Sequence, residues 1–193
     1  MKKMILLIAL LAGITFARTG MMTPAGESGM GVWLNYEVAT LGDDDGWKST
    51  YTVSFDYMTT MGIEVGFSMG NGLLGMDDAD WKGIDLGYHH KMEKWNMNVS
   101  WNRRMYDDYG DIELDLDQLW VLGYCDTGLY GGLGGYNMDS NWAGLDSDGW
   151  EFELLKIGYH HSLDMGMTVG VEYYADKDDI ADGTVSFLAG YNF

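Results

Sequence analysis

The sequence predicts an all-β protein: a closed, antiparallel, up-and-down barrel of ten strands crossing a membrane. Three observations carry this. Apolar residues recur at every second position in segment after segment, the period of a strand with two unlike faces. The connections alternate between short turns and longer acidic stretches. Aromatic residues gather at both ends of the apolar stripes, as they do where a barrel meets the two surfaces of a bilayer.

The chain starts with the basic Met1-Lys2-Lys3, followed by a nearly unbroken apolar run to Phe16 and the small residues of Thr15-Phe16-Ala17. This reads as a secretory signal peptide over 1–17. The run is shorter than the ~20 residues a spanning helix needs. No Cys stands directly after it, so a lipid anchor is not expected. Residues 18–29 read as a short periplasmic lead, and 30–193 as the barrel.

The first strand carries the stripe Met30, Val32, Leu34, Tyr36 and Val38. The second carries Tyr51, Val53, Phe55 and Tyr57, the third Ile63, Val65, Phe67 and Met69. The fourth shows Ile84, Leu86 and Tyr88, the fifth Trp95, Met97, Val99 and Trp101. In the sixth, Leu114, Leu116, Trp120, Leu122 and Tyr124 share the apolar face, broken once by Gln118. The seventh, over 129–138, is rich in Gly, and its facing is open. Either Leu129 and Leu133 point to the apolar side, or Tyr130, Tyr136 and Met138 do. The eighth carries Leu155, Ile157 and Tyr159, the ninth Met167, Val169, Val171 and Tyr173. The last carries Val185, Phe187, Ala189, Tyr191 and Phe193. Eight strands is the alternative count, if the seventh and a neighbour fail to pair. Gly-Tyr-His-His occurs twice, at 87–90 and 158–161. Both copies then mark the same rim.

A formal net charge of −19 argues against nucleic acid as a partner, since phosphate binding needs a basic face. A lone Cys125 cannot form an internal disulfide. The acids concentrate in the odd-numbered connections: 42–48, 71–80, 106–112, 137–149 and 175–183. One end of the barrel is therefore strongly negative. Arg103 has lipid-facing parity near that end, where a lipid phosphate is its expected counter-ion.

An apolar stripe can face a soluble core or lipid. The opposite stripe decides between them. It mixes Gly31, Gly66, Gly87, Gly158, Gly170 and Gly190 with carboxylates, which suits a narrow filled lumen better than a solvated exterior. The alternative, an exported soluble barrel binding an apolar ligand, inverts these faces.

The ending Val185, Phe187, Ala189, Tyr191, Phe193 resembles the terminal strand of bacterial outer-membrane β-barrels. The resemblance extends to the leader and the whole strand-and-loop plan. It implies location in the outer membrane of a Gram-negative-type cell, lipid as the surrounding partner, and both termini on the periplasmic side. It also implies that Tyr191 and Phe193 form the signal read by the barrel-assembly machinery. It brings no catalytic residues.

Facing places Glu37, Asp56, Glu64, Asp85, His89, Arg104, Asp117, Lys156, His160 and Glu172 in the lumen. The expected function is a narrow porin-like channel, cation-preferring if open, or a structural and surface barrel with a largely filled interior. No His lies in a long connection, so an enzyme is not expected. No cofactor is expected either. Asp43, Asp44, Asp45, Asp146 and Asp148 are the candidate ligands for a loop-bound Ca²⁺ or Mg²⁺, hard cations that take oxygen donors.

Overall fold

Alternating side chains require extended backbone, and extended segments require partners for every N–H and C=O. The computed structural model satisfies both with one sheet. It describes residues 28–40, 47–73, 76–109, 112–141, 149–178 and 180–193. Among these run β1 (Gly29–Thr40), β2 (Trp47–Met58), β3 (Ile63–Leu73), β4 (Met76–Lys91) and β5 (Trp95–Tyr109). They are followed by β6 (Ile112–Cys125), β7 (Leu129–Ser140), β8 (Glu151–Ser162), β9 (Met167–Asp176) and β10 (Thr184–Asn192). Each strand pairs antiparallel with its chain neighbours. β1 pairs with β10 from Gly31↔Asn192 to Ala39↔Thr184, which closes the ring at ten strands, not eight. Closure leaves no edge to satisfy, the condition for a sheet in lipid. The signal peptide and nearly all of the lead segment lie outside the described residues.

Two connections are tighter than the sequence implies. The acidic stretches 71–80 and 106–112 read as long loops. In the structure β3 continues to Leu73 and β4 starts at Met76, while β5 continues to Tyr109 and β6 starts at Ile112. Acidic side chains do not break a ladder whose bonds come from the backbone, so these strands stay paired beyond the apolar band. β4 and β5 reach 16 and 15 residues, against 10 and 9 for β9 and β10.

The Gly-Tyr-His-His copies have a common geometric cause. Gly62 and Gly128 hold the left-handed conformation, φ 81° and 92°, in two short turns. Their carbonyls accept hydrogen bonds from the backbone N–H of His89, at 2.8 Å, and His160, at 3.0 Å. Each turn thus locks onto the first His of a copy. A Cβ on either glycine would collide with that histidine's carbonyl.

Outside, Phe55, Val65, Phe67, Leu86, Ile157, Val171 and Phe187 are exposed. Burying such surface is favourable by about 25 cal/mol per Å², and here only a surrounding apolar phase can bury it. Tyr57, Tyr88, Trp95, Tyr159 and Tyr191 ring the short-turn end of this band. Tyr36, Tyr51, Trp101 and Tyr173 ring the other. This is the surface of a membrane barrel, and it excludes the soluble alternative with its apolar stripes inward.

β6 departs from the expectation. Leu114, Leu116, Trp120, Leu122 and Tyr124 are buried inside the barrel, not turned to lipid. Tyr124 is therefore not part of the aromatic ring. The outward row of β6 is Glu113, Asp115, Asp117, Leu119, Val121 and Gly123, by alternation. Its acidic half belongs to the tall part of the wall, where water can reach it. The facing of β7 is settled too: Leu129 and Leu133 are exposed outside, and Tyr130 is buried within.

Candidate functional site

The candidate site is the lumen, built from the inward rows. Its bulk is aromatic. Trp33, Trp120, Leu122, Tyr124, Tyr130 and Leu188 pack into one cluster, with Leu154 and Tyr174 against it. Trp81, Tyr106, Leu114 and Leu116 form a second, nearer the long-connection end, with Tyr136 and Met138 alongside. The sequence reading misses these fillers, yet a signal for them exists. Trp33 lies across from Gly190, Trp120 from Gly134, Tyr130 from Gly158 and Trp81 from Gly70. A Cβ on any of these glycines would run into the facing ring. Large and small residues share the interior in complementary pairs, which lets a small barrel fill without strain.

The charged residues fit between these clusters. Lys156 Nζ is fully enclosed, 3.3 Å from Glu172 Oε1. It also stands 4.2 Å from the centre of the Trp120 ring, whose face attracts a cation. Tyr130 donates to Glu172 Oε2 at 2.9 Å. Glu37 accepts from Asn35 at 2.6 Å, Tyr174 at 3.1 Å and Thr50 at 3.2 Å. Arg104 covers the Trp81 ring at 4.5 Å and donates to Asn102 Oδ1 at 3.3 Å. Asn102 in turn donates to Asp85 Oδ1 at 2.6 Å. His89 Nε2 bonds Glu64, with the Asn98 amide 3.0 Å from the same nitrogen. His160 packs its ring against Tyr130, 5.8 Å between centroids. Such partners are needed, because a buried charge left alone costs several kcal/mol.

Nine of the ten residues assigned to the lumen therefore lie on inward rows. Asp117 does not. It shares the outward row of β6, because the whole strand faces opposite to the expectation. There its Oδ2 lies 3.7 Å from Arg103 Nη1, and Asp115 bonds the same guanidinium. Two carboxylates of this chain, Asp115 and Asp117, thus serve Arg103 as counter-ions. Trp81 is also a lumen residue, buried in the second aromatic cluster.

The loop candidates Asp43, Asp44, Asp45, Asp146 and Asp148 lie outside the described residues. Among the described ones, Glu153, Asp176 and Asp178 converge beyond the apolar band. Lys177 fills that position, 2.6 Å from Glu153 and 3.9 Å from Asp178. The hydrogen bond to Glu153 holds its ammonium above the usual lysine range. At the other end Tyr191 and Phe193 meet edge-on, 4.9 Å between centroids, and the Phe193 N–H donates to Met30 O at 2.9 Å.

No protein-family model and no curated protein matches the sequence. Solved structures do match the fold. The KdgM porin, in complex with disordered oligogalacturonate, aligns at a TM-score of 0.50 and 8% identity, over 84% of this chain and 99% of that one. Omp33 of Acinetobacter baumannii aligns at 0.40 and 10%, over 88% and 100%. Ail of Yersinia pestis aligns at 0.38 and 15%, over 86% and 100%. The closed ten-strand ring, its apolar exterior and the likeness to the KdgM porin together show the fold of a bacterial outer-membrane β-barrel.

Proposed function

We propose that this outer-membrane barrel is a filled structural and surface barrel rather than an open channel. The observation that supports this most is the packing of Trp33, Trp120, Leu122, Tyr124, Tyr130 and Leu188 against one another across the lumen. A barrel of about ten strands is only slightly wider than one that side chains fill, and these rings take up the difference. Its working surface is then the acidic end, turned to the cell exterior. Tyr191 and Phe193 serve as the segment read by the assembly machinery, and lipid is the constant partner.

The likeness to a porin that binds oligogalacturonate concerns the fold and not the solute. Galacturonate is an acid, and among the described residues the inward rows hold Glu37, Asp56, Glu64, Asp85 and Glu172 against Lys156 and Arg104. An anionic sugar would be repelled. A catalytic role is not part of this reading either. Both inward histidines, His89 and His160, stand at the short-turn end, and Glu64 holds His89.

Planar-bilayer recording tests the proposal. The refolded full chain should give no conductance steps above an empty bilayer. Stable steps carrying Na⁺ in preference to Cl⁻ would overturn it and leave the cation-preferring channel in its place.

A further inference from the structure

Beyond the aromatic ring at the short-turn end, the chain reverses in tight hairpins. Two of these carry a methionine at the tip. Met61 lies four residues past Tyr57, about 10 Å beyond the ring along a tilted strand. Met165 stands in the connection between β8 and β9. They are 71% and 81% exposed, the two most exposed methionines among the described residues. Other methionines sit in different surroundings. Met58 is fully buried inside the barrel. Met138 packs against the second aromatic cluster, and Met69 stands on the outer apolar row of β3.

The backbone, and not the methionine side chain, holds each turn together. Gly62 N–H donates to Thr59 O at 3.0 Å, and Thr59 N–H donates to Ile63 O at 2.8 Å. Thr59 Oγ1 accepts from Ile63 N–H at 3.1 Å. Across the other turn, Leu163 N–H donates to Met167 O at 2.7 Å.

The conformation of Met165 is a second observation. Met165 and Gly166 both hold the left-handed conformation, φ 67° and 81°. Turns of that shape favour Gly, Asn and Asp. A side chain so exposed gains little burial to offset the strain. What it presents is a thioether in water, where oxidants reach it. Oxidation to the sulfoxide makes the side chain polar, which is the character such a tip favours. In the packed lumen the same change would disrupt the core.

We propose that Met61 and Met165 are oxidation sites, two thioethers that consume a hypohalous acid at the short-turn, periplasmic face before it reaches the rest of the barrel. In each reaction the sulfur gives up two electrons. The oxygen of hypochlorous acid becomes the sulfoxide oxygen, the chlorine leaves as chloride, and the acid's proton goes to water. A thiol-dependent sulfoxide reductase restores the thioether. The inference goes beyond the filled-lumen reading, and an open channel would leave it unchanged.

The test uses the full chain refolded in phosphatidylcholine vesicles. Cys125→Ser removes an exposed competing thiol. Hypochlorous acid is added at one equivalent per tip methionine, and peptide mass spectrometry locates the oxygen. Met61 and Met165 should be oxidised about tenfold ahead of Met58, Met69 and Met138, with the urea midpoint unmoved. Met61→Leu combined with Met165→Asn should fold normally, send the same dose into the remaining methionines and lower the midpoint. Equal oxygen uptake at Met58 or Met69 would overturn the assignment. So would a midpoint that falls when only the tips are oxidised, or a double variant as resistant as the parent. In intact cells the same two sulfoxides should form first. Tips that stay reduced there would show that a partner covers them, which would also overturn the proposal.

Discussion

In β10, Val185, Phe187, Ala189 and Tyr191 stand outside the barrel, while Ser186, Leu188 and Gly190 stand within. In β6 the longer apolar row, Leu114, Leu116, Trp120, Leu122 and Tyr124, stands within, and the outer row runs from Glu113 through Asp117 to Val121. Both strands alternate with period 2. What differs is the wall each one faces. The inner row of β10 is small, and Gly190 leaves space for Trp33. The inner row of β6 is large, and Gly132 and Gly134 on β7 make room for it. Alternation therefore reports that a strand has two unlike faces. The company of glycines across the ladder tells which face is inside.

The sharpest way to break this comparison is Trp120→Ala. Trp120 is 2% exposed, and truncating a packed Trp costs about 3–5 kcal/mol, with the contact to Lys156 lost as well. Urea unfolding in phospholipid vesicles would measure it. A loss below about 1 kcal/mol would return Trp120 to the lipid face.

Next comes Phe187→Arg on β10. An arginine on the lipid face costs about 2–4 kcal/mol at the bilayer midplane and less toward either surface. The same unfolding experiment reads it, and an unchanged midpoint would mean that Phe187 does not meet hydrocarbon.

The smallest expected effect on the folded barrel is that of Phe193→Ala. Phe193 is 71% exposed, so equilibrium stability should move by no more than about 0.5 kcal/mol. The fraction inserted into the outer membrane of living cells should nonetheless fall. Unchanged membrane levels would remove the assembly role and leave an ordinary rim aromatic.

Much of the architecture was legible along the chain. The stripe Ile63, Val65, Phe67, Met69 needs no partner to be read as a strand with one apolar face, and the Gly-Tyr-His-His copies mark one rim because both meet a turn glycine. Nine lumen residues, Glu37 and Lys156 among them, follow from parity alone. Asp117 stands outside because the apolar row of β6 is a core rather than a lipid face, and parity along one strand does not tell the two apart. The tight ends of β4 and β5 were hidden because acidic composition resembles a loop, while a ladder asks only for backbone.

The sequence by itself determined the period, the girdled apolar exterior and the excess of inward acids. These depend on neighbours two positions apart, and a strand repeats at that distance. Only the tertiary structure decided which stave lends its large residues to the lumen and which inward acids share a row. Those outcomes depend on cross-strand register: Trp120 against Gly134, and Asp56, Gly66 and Asp85 in one row that no single strand contains.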